Sequence, residues 1–157
     1  MHVQAIISGG QTGVDRAALD FALAHGIPCG GWCPKGRRSE DGIIPAKYPL
    51  KETSTTEYHV RTRKNIVSSD GTLIIVKDDA MDRGTKLTKE LCAKLQKPCF
   101  IASGTQTDEK DLFREWLANH HIRTLNVAGC REGSQPGVYE YAIAVLNEIF
   151  SRVSNNL

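Results

Sequence analysis

The segment Ser8-Gly9-Gly10-Gln11-Thr12-Gly13 closes an apolar run that starts at Val3 and leads into a strongly helical pattern. Glycines at this point let backbone N–H groups converge at a helix N-terminus, which carries about half a positive charge and suits phosphate. The spacing fits neither G-x-G-x-x-G nor G-x-x-x-x-G-K-[ST], so this turn has no dinucleotide fingerprint and no Walker loop. A plain glycine turn with Thr12 as the helix cap is the structural alternative. Asp15 and Arg16 fall in the first helical turn, where Asp15 reads as a partner of the helix dipole rather than a catalyst. Downstream, "KDDAMDRGTKLTKE" sets Asp78 and Asp79 ahead of Gly84 and Thr85 at a second helix start. Carboxylates there suit a hydroxyl or a ring nitrogen, and the Gly84–Thr85 amides suit an anion, although capping alone also explains Thr85. "AGCREGSQPGVYE" repeats the pattern, with Gly129, Gly133, Ser134, Pro136 and Gly137 turning into a last helix that carries Glu140 in its first turn. "WCPKGRRSEDG" contributes Lys35, Arg37 and Arg38, and arginine's planar fork grips phosphate bidentately unless Glu40 and Asp41 neutralise the loop.

These turns need a frame that brings them together. Strand-like runs at Val3–Ser8, Pro28–Cys33, Thr72–Lys77, Cys99–Ser103 and Thr124–Ala128 alternate with helical patterns near Val14–His25, Thr56–Ser68, Thr85–Gln96, Glu109–His120 and Val138–Arg152. Five alternations imply right-handed crossovers and an α/β, Rossmann-like three-layer sandwich with a mainly parallel sheet of at least five strands. In such a sheet the turns after the strands share one edge, where ligands bind. The irregular stretch Lys35–Ser54 exceeds ordinary loop length and is a candidate functional loop. On the second helix, Tyr58, Arg61, Thr62 and Asn65 fall on one polar face, turned toward the site, a partner subunit or solvent.

The chain of 157 residues, 40% of them apolar, fits one domain over residues 1–157. Its net charge of +2 is too balanced for non-specific nucleic-acid or membrane binding. No leader or membrane-length apolar run is apparent, and five cysteines, an odd number, point to reduced thiols and a cytoplasmic setting. Adjacent His120 and His121 do not chelate one metal as an i,i+4 pair would, Cys29 and Cys33 read as packing, and no Ser/His/Asp or Cys/His arrangement follows from spacing. The residues alone reach a binder of a phosphorylated small molecule.

The blocks "SGGQTGVDRAALDFA", "GWCPKGRRSEDGIIPAKYPLKET", "RTRKN", "SDGTLII", "RGTKLT" and "AGCREGSQPGVYE" together resemble the molybdenum carrier-like family of the SLOG superfamily, over nearly the whole chain. The resemblance implies binding and carriage or storage of molybdenum cofactor, a pterin dithiolene with a terminal phosphate, and its delivery to molybdoenzymes. Gly9, Gly10, Thr12, Gly13, Arg37, Gly84, Thr85, Ser134 and Gly137 are the ligand contacts it implies, to which the turns add Gln11, Lys35 and Asp78. The superfamily's habits and the polar face at Arg61 and Asn65 suggest a homo-oligomer. Two alternatives remain: a nucleotide-binding sensor, and a lonely-guy-type phosphoribohydrolase that cleaves nucleoside monophosphates through P-G-G-x-G-T-x-x-E. Here "MDRGTKLT" keeps Gly84 and Thr85 but has Thr88 at the glutamate position. Glu90 is rotated by about 200° from Thr88 along a helix and is expected to face away.

Overall fold

Residues 3–152 are described by a computed structural model. The elements run β1 (Ala5–Ile7), α1 (Val14–Ala24), β2 (Cys29–Gly30), β3 (Trp32–Cys33), β4 (Arg38–Ser39), β5 (Gly42–Ile43), β6 (Lys51–Glu52), α2 (Tyr58–Val67), β7 (Gly71–Ile75), α3 (Arg83–Lys94), β8 (Cys99–Ala102), α4 (Glu109–Asn119), β9 (Thr124–Gly129) and α5 (Val138–Ile149). Five strands form the main sheet in the order β2-β1-β9-β7-β8, and every pairing is parallel. The turns after these strands therefore lie at one edge of the sheet.

β7 is buried from end to end because a central parallel strand is covered on both faces. Helices α1, α4 and α5 pack together as one layer, while α2 and α3 pair in the other. The core between the first layer and the sheet joins Ile6, Phe21, Leu73, Phe113, Leu125 and Leu146. The last strand, β9, sits between β1 and β7, so the strand order reverses around it. That is where a crevice opens in sheets of this kind.

The second strand differs from the sequence expectation. The run Pro28–Cys33 does not continue as one strand: it breaks at Gly31, whose φ is +127°. A Cβ there would collide with the Ser8 carbonyl oxygen, so only glycine lets the two backbones approach this closely. Beyond the break the chain leaves the main sheet. Trp32–Cys33 pairs in parallel with Lys51–Glu52, and Arg38–Ser39 pairs antiparallel with Gly42–Ile43. The stretch expected to be an irregular loop is thus an ordered excursion. It is tied to α1 by Tyr48, whose hydroxyl donates to Asp20 Oδ1 at 2.7 Å, and by Arg16, paired with Asp41 at 2.9 Å. The α2 helix starts at Tyr58, two residues later than its pattern suggests, and α3 starts at Arg83, two residues earlier, because Asp82 caps it by accepting from Thr85 N at 2.9 Å. All five cysteines are free, and no helix among the described residues is long and apolar enough to cross a membrane.

Candidate functional site

A cleft of about 940 Å³ opens between α2 and α3 above the carboxyl ends of β1 and β9. Gly9 and Gln11 border it from the first turn, Asn126 to Gly129 from β9, Arg131 and Ser134 from the turn before α5. The α2 wall consists of Tyr58, His59, Arg61, Thr62 and Asn65, preceded by Glu57. The α3 wall presents Asp82, Arg83, Gly84, Lys86, Leu87, Thr88 and Glu90. The polar face of α2 therefore looks into the site.

Among the residues proposed from sequence, Gly9, Gln11, Gly84 and Ser134 border this cleft, and Gly10, Thr12, Gly13, Lys35, Arg37, Asp78, Thr85 and Gly137 do not. The reasons are local. Gly10 faces the side chains of Leu50 and Ile44 in the excursion, and Gly13 lies against the Cys130 carbonyl. Thr12 Oγ1 bonds Glu40 and accepts from Glu132 N at 3.2 Å, which links the first turn to the last. Lys35 is exposed on the excursion, its N–H donating to Thr55 O at 2.8 Å. Arg37 turns inward on that loop, where its guanidinium donates to the carbonyls of Ile44 at 3.1 Å, Pro45 at 2.7 Å, Tyr48 at 2.9 Å and Leu50 at 3.4 Å. Asp78 is exposed beside Lys77, 3.5 Å away. Thr85 is buried, with its hydroxyl on Asp82 Oδ1 at 2.7 Å, and Gly137 donates to Glu132 Oε1 at 2.6 Å.

The three helix mouths are not equivalent. At the first turn Gly10 N donates to Ser8 Oγ (3.3 Å), Gln11 N to Asp15 Oδ2 (3.2 Å) and Thr12 N to Gln11 Oε1 (3.1 Å). At the last turn Gly133 N donates to Glu40, and Gly137 N and Tyr139 N donate to the Glu132 carboxylate. Side chains of the protein thus satisfy these six amides, which would otherwise be open to a phosphate. At α3 the Asp82 cap takes Thr85 N, and the exposed Arg83 and Lys86 flank Gly84 on the cleft wall. Positive charge at the outer part of the cleft therefore collects at the start of α3, while Arg131 beside it is paired with Glu40 at 3.3 Å and donates to Ser134 Oγ at 2.9 Å.

Deeper in, two charged groups stand out. Asp15 is 7% exposed, and burial pushes its carboxyl up to about 6, although Arg61, Arg16 and the Gln11 N–H favour the ionised form and Asp82 opposes it. Among the described residues Arg61 Nε is buried with no acceptor, and the one hydrogen bond of the side chain runs from Nη1 to Thr62 Oγ1 at 2.8 Å. The guanidinium lies over Gly9 so closely that a Cβ there would come within 2.6 Å of Nε. Tyr58 stands between Arg61 and Arg38, with the two guanidinium carbons 5.3 and 4.7 Å from its ring centre. Thr88 is buried on the α3 wall, its hydroxyl donating to Gly84 O at 3.0 Å, while Glu90, expected to face away, reaches the same cleft from an exposed position. Sequence reasoning placed Asp15 at the helix dipole and did not single out Arg83, Lys86 or Arg131. The usable signal was the pair of cations flanking Gly84 in the first turn of α3. Among the described residues no three His, Cys, Asp or Glu side chains group as a metal ion would require.

The model of the Circularly permutated YpsA SLOG family matches residues 6–150 of the chain. The structure is similar to the crystal structure of the protein named Putative molybdenum carrier protein from Syntrophus aciditrophicus SB, with 43% sequence identity and a TM-score of 0.90 over 95% of this chain and 96% of that one. No curated protein matches the chain.

Proposed function

Since the chain belongs to the Circularly permutated YpsA SLOG family, we propose that it binds and carries a phosphorylated small molecule in the cleft between α2 and α3, and that this ligand is molybdenum cofactor. The observation that carries the reading is Arg61 Nε: a buried guanidinium donor without an acceptor among the described residues, bordering a cavity large enough for a cofactor, is a cost unless a ligand supplies the acceptor. A phosphorylated pterin suits the residues present. It brings ring acceptors for the inner end and a phosphate for Arg83, Lys86, Arg131 and Ser134 at the outer end. The name of the similar protein from Syntrophus aciditrophicus SB supports molybdenum as part of the cargo. Molybdoenzymes are the corresponding acceptors. Arg61, Thr62 and Asn65 are accounted for by the cleft, so a homo-oligomer no longer follows from that face, and light scattering at micromolar concentration measures it.

The test is mass spectrometry of the ligand on protein purified without added cofactor, with metal analysis of the same sample. Molybdenum with a phosphorylated pterin is expected; a nucleotide alone in the cleft overturns the cofactor reading. The hydrolase alternative has one observation in its favour, a cleft carboxyl at Asp15. Its test is release of free adenine from AMP. No turnover is expected from the wild type, because Thr88 puts a hydroxyl already bonded to Gly84 O where the signature has a carboxylate.

A further inference from the structure

We propose that the inner end of the cleft reads a lactam–amidine ring edge, a ring N–H between an exocyclic amino group and a ring carbonyl, as in guanine or a pterin. The Asp15 carboxylate accepts from the N–H and the amino group, and the Arg61 guanidinium donates to the carbonyl. The inference rests on the reading that a ligand occupies this cleft, and adds which end of the ligand enters first and which heterocycles qualify.

Depth and charge order the ligand. Asp15 is 7% exposed and Arg61 Nε is buried, so this opposite-charge pair marks the inner end, whereas Arg83, Lys86 and Arg131 are exposed at the outer part. A phosphate at the inner end would meet the Asp15 carboxylate as a like charge. It would also find the first turn's Gly10, Gln11 and Thr12 N–H groups already bonded to Ser8 Oγ, Asp15 Oδ2 and Gln11 Oε1. The phosphate therefore stays outside and the ring goes in. One Asp15 oxygen holds the Gln11 N–H, and no partner within the described residues takes the other, which leaves it to accept from a ligand. Arg61 needs an acceptor beside that donor pair. A lactam–amidine edge supplies two donors and one acceptor in a row. Adenine turns a ring nitrogen lone pair toward the same carboxylate, and that contact is repulsive.

The groups facing Asp15 are Arg61 from α2, Arg16 from α1, Asp82 from the cap of α3 and the Gln11 N–H of the turn. Its carboxyl titrates near 6, so the acceptor form is lost as pH falls through that value. Calorimetric titration of the wild-type chain with GMP, AMP and neopterin monophosphate at pH 7.5 and pH 5 tests the assignment, with Asp15→Asn alongside. GMP and neopterin monophosphate are expected to bind about tenfold or more tighter than AMP at pH 7.5. The preference should shrink at pH 5 in the wild type, and in Asp15→Asn it should be small at both pH values. AMP binding as tightly as GMP, a preference indifferent to pH, or no binding of either guanine or pterin ligand overturns the proposal. The wild-type pH series gives this result even if the variant folds poorly. A clear GMP preference in a protein that carries no molybdenum pterin would sink the carrier reading alone; a bound molybdenum pterin without ring preference would sink this inference alone.

Discussion

Burial pushes the Asp15 carboxyl from its ordinary 3.8 up to about 6 in the folded chain, against the lowering influence of Arg61 and the Gln11 N–H. The folded state then holds a proton that the unfolded chain has released between those two values. Protonated Asp15 contributes its full share of stability below about pH 4, and that share is lost as pH rises through 6. Above pH 6 the ionised group costs the fold about 3 kcal/mol at most. Asp15→Asn keeps the shape and an acceptor for Gln11 N–H while removing the charge. Urea unfolding should therefore find the variant more stable than wild type at pH 7.5, by up to about 3 kcal/mol, and equal to it below pH 4. A variant less stable at pH 7.5 would mean that Arg61 favours the carboxylate more strongly than burial opposes it. A carboxyl kept at an energetic disadvantage on the wall of a cleft is more readily explained by binding than by folding.

Among the elements, the excursion from Trp32 to Glu52 holds Arg37 away from the cleft. Arg37 links four carbonyls contributed by Ile44, Pro45, Tyr48 and Leu50, so it fixes the loop's path. Arg37→Ala should lower unfolding stability by about 3 kcal/mol and speed amide exchange across the excursion, while its effect on ligand affinity should have no salt dependence. A loss of affinity that is greater at low salt, with stability unchanged, would return Arg37 to the phosphate site. Arg37→Lys should not rescue stability, because one ammonium does not span four carbonyls. The excursion also marks where the sequence was opaque. Four of the five main strands were legible from apolar runs separated by helical periods, and β7 with its full burial is the clearest. The break at Gly31 was not, because Pro28–Cys33 reads as continuous and the positive φ is imposed by the distant Ser8 carbonyl. For the site, the glycine turn was visible as a turn, but the side-chain acceptors Ser8 Oγ, Asp15 Oδ2 and Gln11 Oε1 that fill its amides depend on rotamers that spacing does not specify. The face of α2 was visible from its period, and its direction followed only from the packing of α2 on α3.

At the scale of the molecule, the cleft joins parts of the chain that are far apart in sequence: the first turn, α2, α3 and the turn before α5. A ligand spanning them binds the folded chain and not the unfolded one, so at a hundredfold excess over its dissociation constant it should add about 2.7 kcal/mol to stability. For a chain of this length that is a rise in Tm of roughly 5–10 °C, readable by calorimetry. The arrangement further divides the affinity by depth. The cations at the outer part are exposed, so their attraction for a phosphate is screened by salt, whereas contacts at Asp15 and Arg61 lie away from solvent and are screened less. GMP should therefore exceed guanosine in affinity by a margin that narrows between low and high salt, while guanosine alone binds with little salt dependence. Lys86→Ala, which removes an exposed cation beside Gly84, should narrow the same margin at low salt and leave guanosine binding unchanged. If guanosine weakens with salt as steeply as GMP, or if Lys86→Ala weakens both equally, the phosphate is not held at the start of α3 and the depth ordering of the cleft is wrong.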